Sequence, residues 1–145
     1  MVKARRSRPR KAGKNLIGLW CTGDGLSLVD IFAPIIVVSE ANLRGHWWSK
    51  DKRRREQRYA AAMVVRTYAP RLFLSNVTHV TLTRYGVRLL DTDNLAGAFK
   101  AVRDGIADAL GVDDGTLPWQ YDQLKSQSLG IRISLRNTST NSSTP

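Results

Sequence analysis

The stretch from Asn94 to Leu110 constrains this chain more than any other. At 100° per residue, Leu95, Ala98, Phe99, Val102, Ile106, Ala109 and Leu110 fall within one arc of roughly 120°. The opposite arc carries Asp93, Gly97, Lys100, Asp104 and Asp108. This periodicity predicts an amphipathic helix. Asp93 stands at its start, where a carboxylate caps free backbone N–H groups and meets the positive end of the helix dipole. Gly111 supplies the C-terminal stop.

The flanking segments predict a sheet and one further helix. Leu26–Phe32 and Ile35–Val38 are rich in β-branched and aliphatic residues and are bounded by Gly25, Pro34 and Ser39, so both read as strands. Ser49 to Tyr68 suits a helix, with Ser49 as N-cap and Pro70 just beyond its end. Its apolar residues Tyr59, Ala62, Met63 and Val65 leave the arginines at the N-terminal end facing solvent. Val77–Thr83 alternates and reads as a strand, Val87–Leu90 continues the sheet after a turn at Tyr85-Gly86, and Ile131–Leu135 closes it. His79 then lies on one face of that sheet. Tyr121, Gln123 and Lys125, following Trp119 on a loop or edge strand, are placed along a groove. The expected fold class is α+β, a small mixed β-sheet packed with two main helices.

A chain of 145 residues fits one domain, and its 42% hydrophobic and 24% charged residues exclude wholesale disorder. Its one cysteine, Cys21, has no intramolecular partner, and with two histidines it is too little for a Cys/His zinc site. The apolar run Ile31–Val38 is interrupted by Pro34 and falls far short of the roughly 20 residues that span a bilayer. The few apolar residues from Leu16 to Trp20 are too short for a secretory signal, so the expected location is the cytoplasm. The outlier is charge: 23 Lys and Arg against 12 Asp and Glu, a net +11, which points to a polyanionic partner.

That charge is segregated. Residues 1–14 hold seven basic residues and no acid, and are expected to form a disordered basic arm. Arg44 to Arg58 holds seven more, and residues 137–145 read as a disordered polar tail, which leaves 15–136 for the folded domain. Seven of the twelve acids fall between Asp91 and Asp122. Asp91 and Asp93 point to the same side if the strand runs on to Asp93. Asp113 and Asp114 follow the helix, which is roughly 25 Å long, so the chain must climb back along an adjacent strand to bring Asp114 beside the first pair. Three carboxylates gathered there would repel one another without a cation, and oxygen-only ligation selects Mg²⁺, with Mn²⁺ as the other candidate. The same residues also read as an N-cap, a solvated loop acid and a turn at Asp113-Asp114-Gly115. An acidic cluster in so basic a chain favours the metal: a protein that only gripped phosphate would exclude carboxylates, whereas one that brings Mg²⁺ to a phosphodiester needs them.

The run LLDTDNLAGAFKAVRDGIADALGVDD resembles the core motif of the RusA-like Holliday-junction resolvases, in which Asp-x-Asp-Asn-Leu opens a helix bearing a lysine and a later Asp-Asp closes the site. Glu40-Ala41-Asn42 followed by Arg44-Gly45-His46-Trp47 is similar to that family's substrate-binding loop, the helix with Gln57 and Arg58 to its first helix, and Val80–Arg84 to the strand feeding the aspartate pair. The resemblance spans Leu28 to Leu135, is sharp over Asp91–Asp114, and looks closest to phage or prophage relatives in a bacterial host. It implies a homodimer, Mg²⁺ dependence, and paired nicks across a four-way DNA junction. The metal-binding aspartates it implies are Asp91, Asp93 and Asp114, with Asn94 the motif's asparagine. Two departures stand out: Gly97 occupies the family's lysine position, with Lys100 three residues later on the same helix face, and the helix before Asp113-Asp114 is longer, leaving either of those two as the ligand.

The function expected on this basis is hydrolysis of DNA at four-way junctions. Asp91, Asp93 and Asp114 would hold Mg²⁺, and Lys100 would neutralise charge on the phosphate or else pair with Asp104 at i+4. Asn42, Arg44, His46, Lys50, Lys52, Arg53, Arg54, Arg55 and Arg58 would bind flanking DNA backbone. Trp47 and Trp48 are expected in the core or a dimer contact in preference to stacking on opened bases. A non-catalytic DNA- or RNA-binding protein on the same scaffold is the alternative.

Overall fold

Alternating apolar and polar residues build the sheet. In the computed structural model the described residues are 20–21, 28–39, 47–69, 74 and 76–137. The basic arm, the loop residues Asn42, Arg44 and His46, and the tail beyond residue 137 lie outside them. Strands β1 (Trp20–Cys21), β2 (Leu28–Ala33), β3 (His79–Gly86), β4 (Trp119–Lys125) and β5 (Gly130–Arg136) form one sheet in the order β1-β2-β5-β3-β4. The β1–β2, β2–β5 and β5–β3 pairs are antiparallel, and β3–β4 is parallel, so the sheet is mixed.

Helices α1 (Trp47–Tyr68), α2 (Thr92–Ala98) and α3 (Lys100–Leu110) pack on one face, giving the expected α+β class. The core lies between them and the inward residues Val29, Ile31, Val80, Leu82, Ile131, Ile133 and Leu135. Each inward residue alternates with a polar or half-buried one on the opposite face, the period-2 signature of a sheet covered on one side. No helix among the described residues is long and apolar enough to cross a membrane.

Several expectations need correcting. The helix read as continuous from Asn94 divides at Phe99 into α2 and α3. Phe99 (φ −86°, ψ −3°) is fully buried and stacks on Tyr121 at 5.7 Å. Ile35–Val38 forms no strand. Its Ile36 and Val37 carbonyls accept hydrogen bonds from the Gln57 and Arg84 side chains at 2.8 Å each, in place of a ladder. Val87–Leu90 leaves the sheet, with Val87 and Leu89 exposed.

Helix α1 starts two residues before the expected Ser49, and its Trp47 and Trp48 are 77% and 56% exposed, outside the core. Tyr59 and Met63 are exposed too; the buried line is Gln57, Ala61, Ala62 and Val65. Small residues there let α1 and α3 meet closely. A Cβ on Gly105 would lie 2.2 Å from the Arg58 carbonyl oxygen, so only glycine fits at this crossing. Gly111 (φ 70°) ends α3 in the left-handed conformation, as its position predicts. Asn137, assigned to the tail, is buried.

Candidate functional site

The loop from Val87 to Leu90 delivers Asp91, and two side chains of the sheet hold that loop. Arg84 sits at an inward position of β3, 8% exposed. It donates Nε to the Val37 carbonyl at 2.8 Å and Nη1 to the Arg88 carbonyl at 2.7 Å. Burial pushes its pKa down from the usual arginine value. Gln123 of β4 donates Nε2 to the Leu90 carbonyl at 2.6 Å, and its Oε1 accepts from the Leu90 N–H at 2.8 Å. One side-chain amide thus satisfies both backbone groups of the residue before Asp91, as a neighbouring strand would.

Asp91, not Asp93, is the N-cap residue of α2 (φ −62°, ψ 155°). Its carbonyl accepts the Leu95 N–H at 2.8 Å, yet its carboxylate makes no capping hydrogen bond. Asp93 lies in the first turn. Both are exposed, and neither carboxylate has a hydrogen-bond or ion-pair partner among the described residues. The strand ends at Gly86, so the expected same-side pair on a strand does not form; residues two apart at a helix start diverge.

The other end of the α2–α3 arm treats its acids differently. Asp113 Oδ1 accepts the Gly115 N–H at 3.3 Å and caps a 3-10 turn, Asp114–Thr116. The Asp114 carbonyl accepts Trp119 Nε1 at 2.7 Å, and its carboxylate lies 3.0 Å from Arg103 Nη2. Arg103 Nη1 also donates to the Tyr121 hydroxyl at 3.1 Å. The Asp114 carboxyl is held below the usual range first by a hydrogen bond shared with Asp113, with desolvation opposing it, and then by the charges of Arg103 and Lys100. Lys100 itself lies 3.9 Å from Asp104, with its side chain 68% exposed.

Asp91, Asp93 and Asp114 are therefore not brought together. Because β4 runs parallel to β3, the chain leaving α3 returns to the start of β3, where Trp119 pairs with Val80. Gln123, beside Leu90, and Trp119, beside Asp114, are four strand residues or about 13 Å apart. Among the described residues no three His, Cys, Asp or Glu side chains are grouped to hold a metal ion. A three-aspartate cage does not fit this arrangement. Mg²⁺ commonly binds one or two carboxylates, keeps several waters and shares substrate phosphate, and the donor chemistry of Asp91 and Asp93 suits that mode.

The basic residues of α1 are unequal. Lys52 lies 3.9 Å from Glu56 and Arg55 lies 3.3 Å from Asp51, each at i+4 and exposed. Lys50 is half-buried, and Arg54 is exposed. Arg53 is half-buried, with Nη1 buried and lacking a partner among the described residues. Arg58 is engaged twice by Asp108, at 2.7 and 3.0 Å, and fastens α1 to α3. That pair holds the Asp108 carboxyl below its usual range and raises the arginine. Arg84 and Arg103 escaped the reading of the sequence. The signal for Arg84 was a cation at an inward position, alternating with Val80 and Leu82; Tyr121 and Gln123 face the helices rather than a groove.

No family model matches the chain, and no curated protein does. Among solved structures the chain is similar to the OmpA-like domain of FopA1 from Francisella tularensis subsp. tularensis SCHU S4. The identity is 13% over 94% of this chain and 95% of that one, with a TM-score of 0.34, too low to carry an argument.

Proposed function

We propose that this protein is a Mg²⁺-dependent, structure-selective endonuclease of the RusA-like kind, acting on four-way DNA junctions as a homodimer in the cytoplasm. What supports this reading most is one contrast of charge. In a chain of net +11, Asp91 and Asp93 stand exposed without an ion-pair partner among the described residues, behind a loop that Arg84 and Gln123 pin. So many cations leave ample opportunity to pair these acids, and a divalent ion is the partner their oxygen chemistry suits.

Mg²⁺ held by Asp91 or Asp93, together with water and substrate phosphate, would supply positive charge at the scissile phosphate and acidify a bound water. The chain's own groups do the rest. Lys100, the first residue of α3, neutralises charge developing on the phosphate. Arg84 and Gln123 keep Asp91 in place without touching DNA. Lys50, Lys52, Arg54 and Arg55 contact flanking backbone and release counterions, so binding weakens with salt. Arg58 acts on the arm through Asp108 instead.

The Arg103–Asp114 pair favours a second reading, a non-catalytic DNA- or RNA-binding protein, because it occupies the third carboxylate of the motif. Labelled four-way junction and linear duplex, each incubated with and without Mg²⁺, separate the two. Cleavage confined to the junction and dependent on the metal supports the nuclease. Junction binding without cutting under Mg²⁺ or Mn²⁺ establishes the binder.

A further inference from the structure

The outer face of α1 carries side chains that neither the core nor the nuclease reading uses. The helix meets the fold through Gln57, Ala61, Ala62 and Val65, which leaves its other side to solvent. At 100° per residue, Trp48, Lys52, Arg55, Tyr59 and Met63 fall on that side within an arc of about 80°. All five are exposed, Trp48 by 56%, Tyr59 by 68% and Met63 by 42% of their surfaces. Single exposed apolar side chains are ordinary on a protein surface. Here the large ones recur in register with cations: two aromatic rings bracket Lys52 and Arg55 along about 16 Å of helix.

The charge of the helix indicates the partner. Helix α1 carries seven Lys and Arg against two acids, Asp51 and Glu56. Those acids lie 3.3 Å from Arg55 and 3.9 Å from Lys52, in exposed i,i+4 pairs too weak to hold either cation against a phosphate. A duplex presents phosphates to such a surface but keeps its base faces stacked inside, so it would engage the cations and leave the rings idle. An anionic membrane calls for a broad apolar face, whereas this stripe interleaves its rings with charge. A single strand offers phosphates and unstacked bases together, and matches both halves of the pattern. We propose that the outer face of α1 holds single-stranded DNA, with Lys52 and Arg55 on its phosphates and Trp48 and Tyr59 stacked on its bases. The inference deepens the nuclease reading, on which the choice of DNA over RNA rests: the feature recognised beside the cut is a stretch of unpaired strand. The binding itself needs neither Mg²⁺ nor the aspartates.

Fluorescence anisotropy of labelled oligonucleotides, with the full chain in EDTA, tests this without reference to cleavage. The probes are a thymidine strand of about twelve nucleotides, an abasic strand of the same length, and a duplex of that length. The wild type binds the thymidine strand about tenfold or more tighter than the abasic one, because the two share phosphates and differ in bases. Tyr59→Ala and Trp48→Ala each weaken binding of the thymidine strand about tenfold, and leave the abasic strand and the duplex within about twofold. Tyr59→Phe keeps the wild-type affinity. Circular dichroism accompanies each variant; should Trp48→Ala disturb the fold, the exposed Tyr59 carries the test alone. Equal affinity for thymidine and abasic strands overturns the proposal, as does a preference that survives both alanine variants. A uridine RNA strand bound tighter than the thymidine strand overturns it too, and so does Tyr59→Ala releasing phosphatidylserine vesicles while the thymidine strand stays bound. A chain that binds the strand as described but cuts no junction under Mg²⁺ keeps this inference and loses the nuclease reading; one that cuts junctions without the preference for bases does the reverse.

Discussion

Asp91 and Asp93 open the α2–α3 arm with exposed carboxylates that have no partner among the described residues, whereas Asp114, just past its other end, is held by Arg103 at 3.0 Å and has its neighbour Asp113 engaged in a turn. Residue type, arm and overall field are the same, so the difference lies in local partners. At the far end, β4 brings Tyr121 and Trp119 against the arm and fixes Arg103 beside Asp114. At the near end the sheet supplies Arg84 and Gln123, which bind backbone and leave the acids alone. One end is finished by the fold, and the other is where the proposed Mg²⁺ would bind.

The largest expected effect comes from the unpaired end. Asp93→Asn lowers the single-turnover cleavage rate of a four-way junction by about a thousandfold, or roughly 4 kcal/mol of barrier. Asp114→Asn, which breaks only an ion pair, lowers the same rate by less than about tenfold. Equal losses at both ends would erase the distinction.

The arm's support comes next. Gly105→Ala forces a methyl group against the Arg58 carbonyl and costs about 1–3 kcal/mol in urea unfolding, with both ends of the arm affected alike. A stability unchanged from wild type would show that α1 and α3 can separate freely. Gln123→Leu strips both partners from Leu90, costs about 1–2 kcal/mol, and raises the Mg²⁺ concentration needed for half-maximal cleavage while Asp114 keeps its ion pair. An unaltered Mg²⁺ requirement would remove Gln123 from any role in placing Asp91.

The smallest effect is the Arg58–Asp108 clamp, exposed and so contributing no more than about 1 kcal/mol. Its carboxyl pKa is depressed by the hydrogen bond from Arg58, so its contribution is fully present above the unfolded value near 3.9. It is lost as pH falls through the lower folded value. Thermal melts of wild type and Asp108→Asn therefore differ at neutral pH and converge in acid; a gap that widened on acidification would contradict the assigned sign.

Much of this frame is legible in the sequence because local periodicity carries it. The apolar stripe Leu95, Ala98, Phe99, Val102 and Ile106 is buried as its spacing predicts, and Gly111 ends the helix. Ile35–Val38 misled because its alternation is real: Ile35 and Val37 are buried, but the carbonyls between are satisfied by Gln57 and Arg84, distant in sequence. The unpaired acids were visible as Asp91 and Asp93. Their distance from Asp114 was not, since it depends on the parallel register of β4 on β3, a long-range pairing that no local pattern encodes. For Trp47 and Trp48 the core half of the expectation fails: bulk apolar side chains suggest burial, yet they sit exposed at a helix start.

Paramagnetic broadening of the backbone amide signals by Mn²⁺, added in substoichiometric amounts to the full chain, reads the central contrast directly. Signals of Asp91 to Asn94 should broaden first, while those of Gly115 and Thr116 stay sharp. Broadening centred on Asp113 to Thr116, or none at either end, would contradict the account.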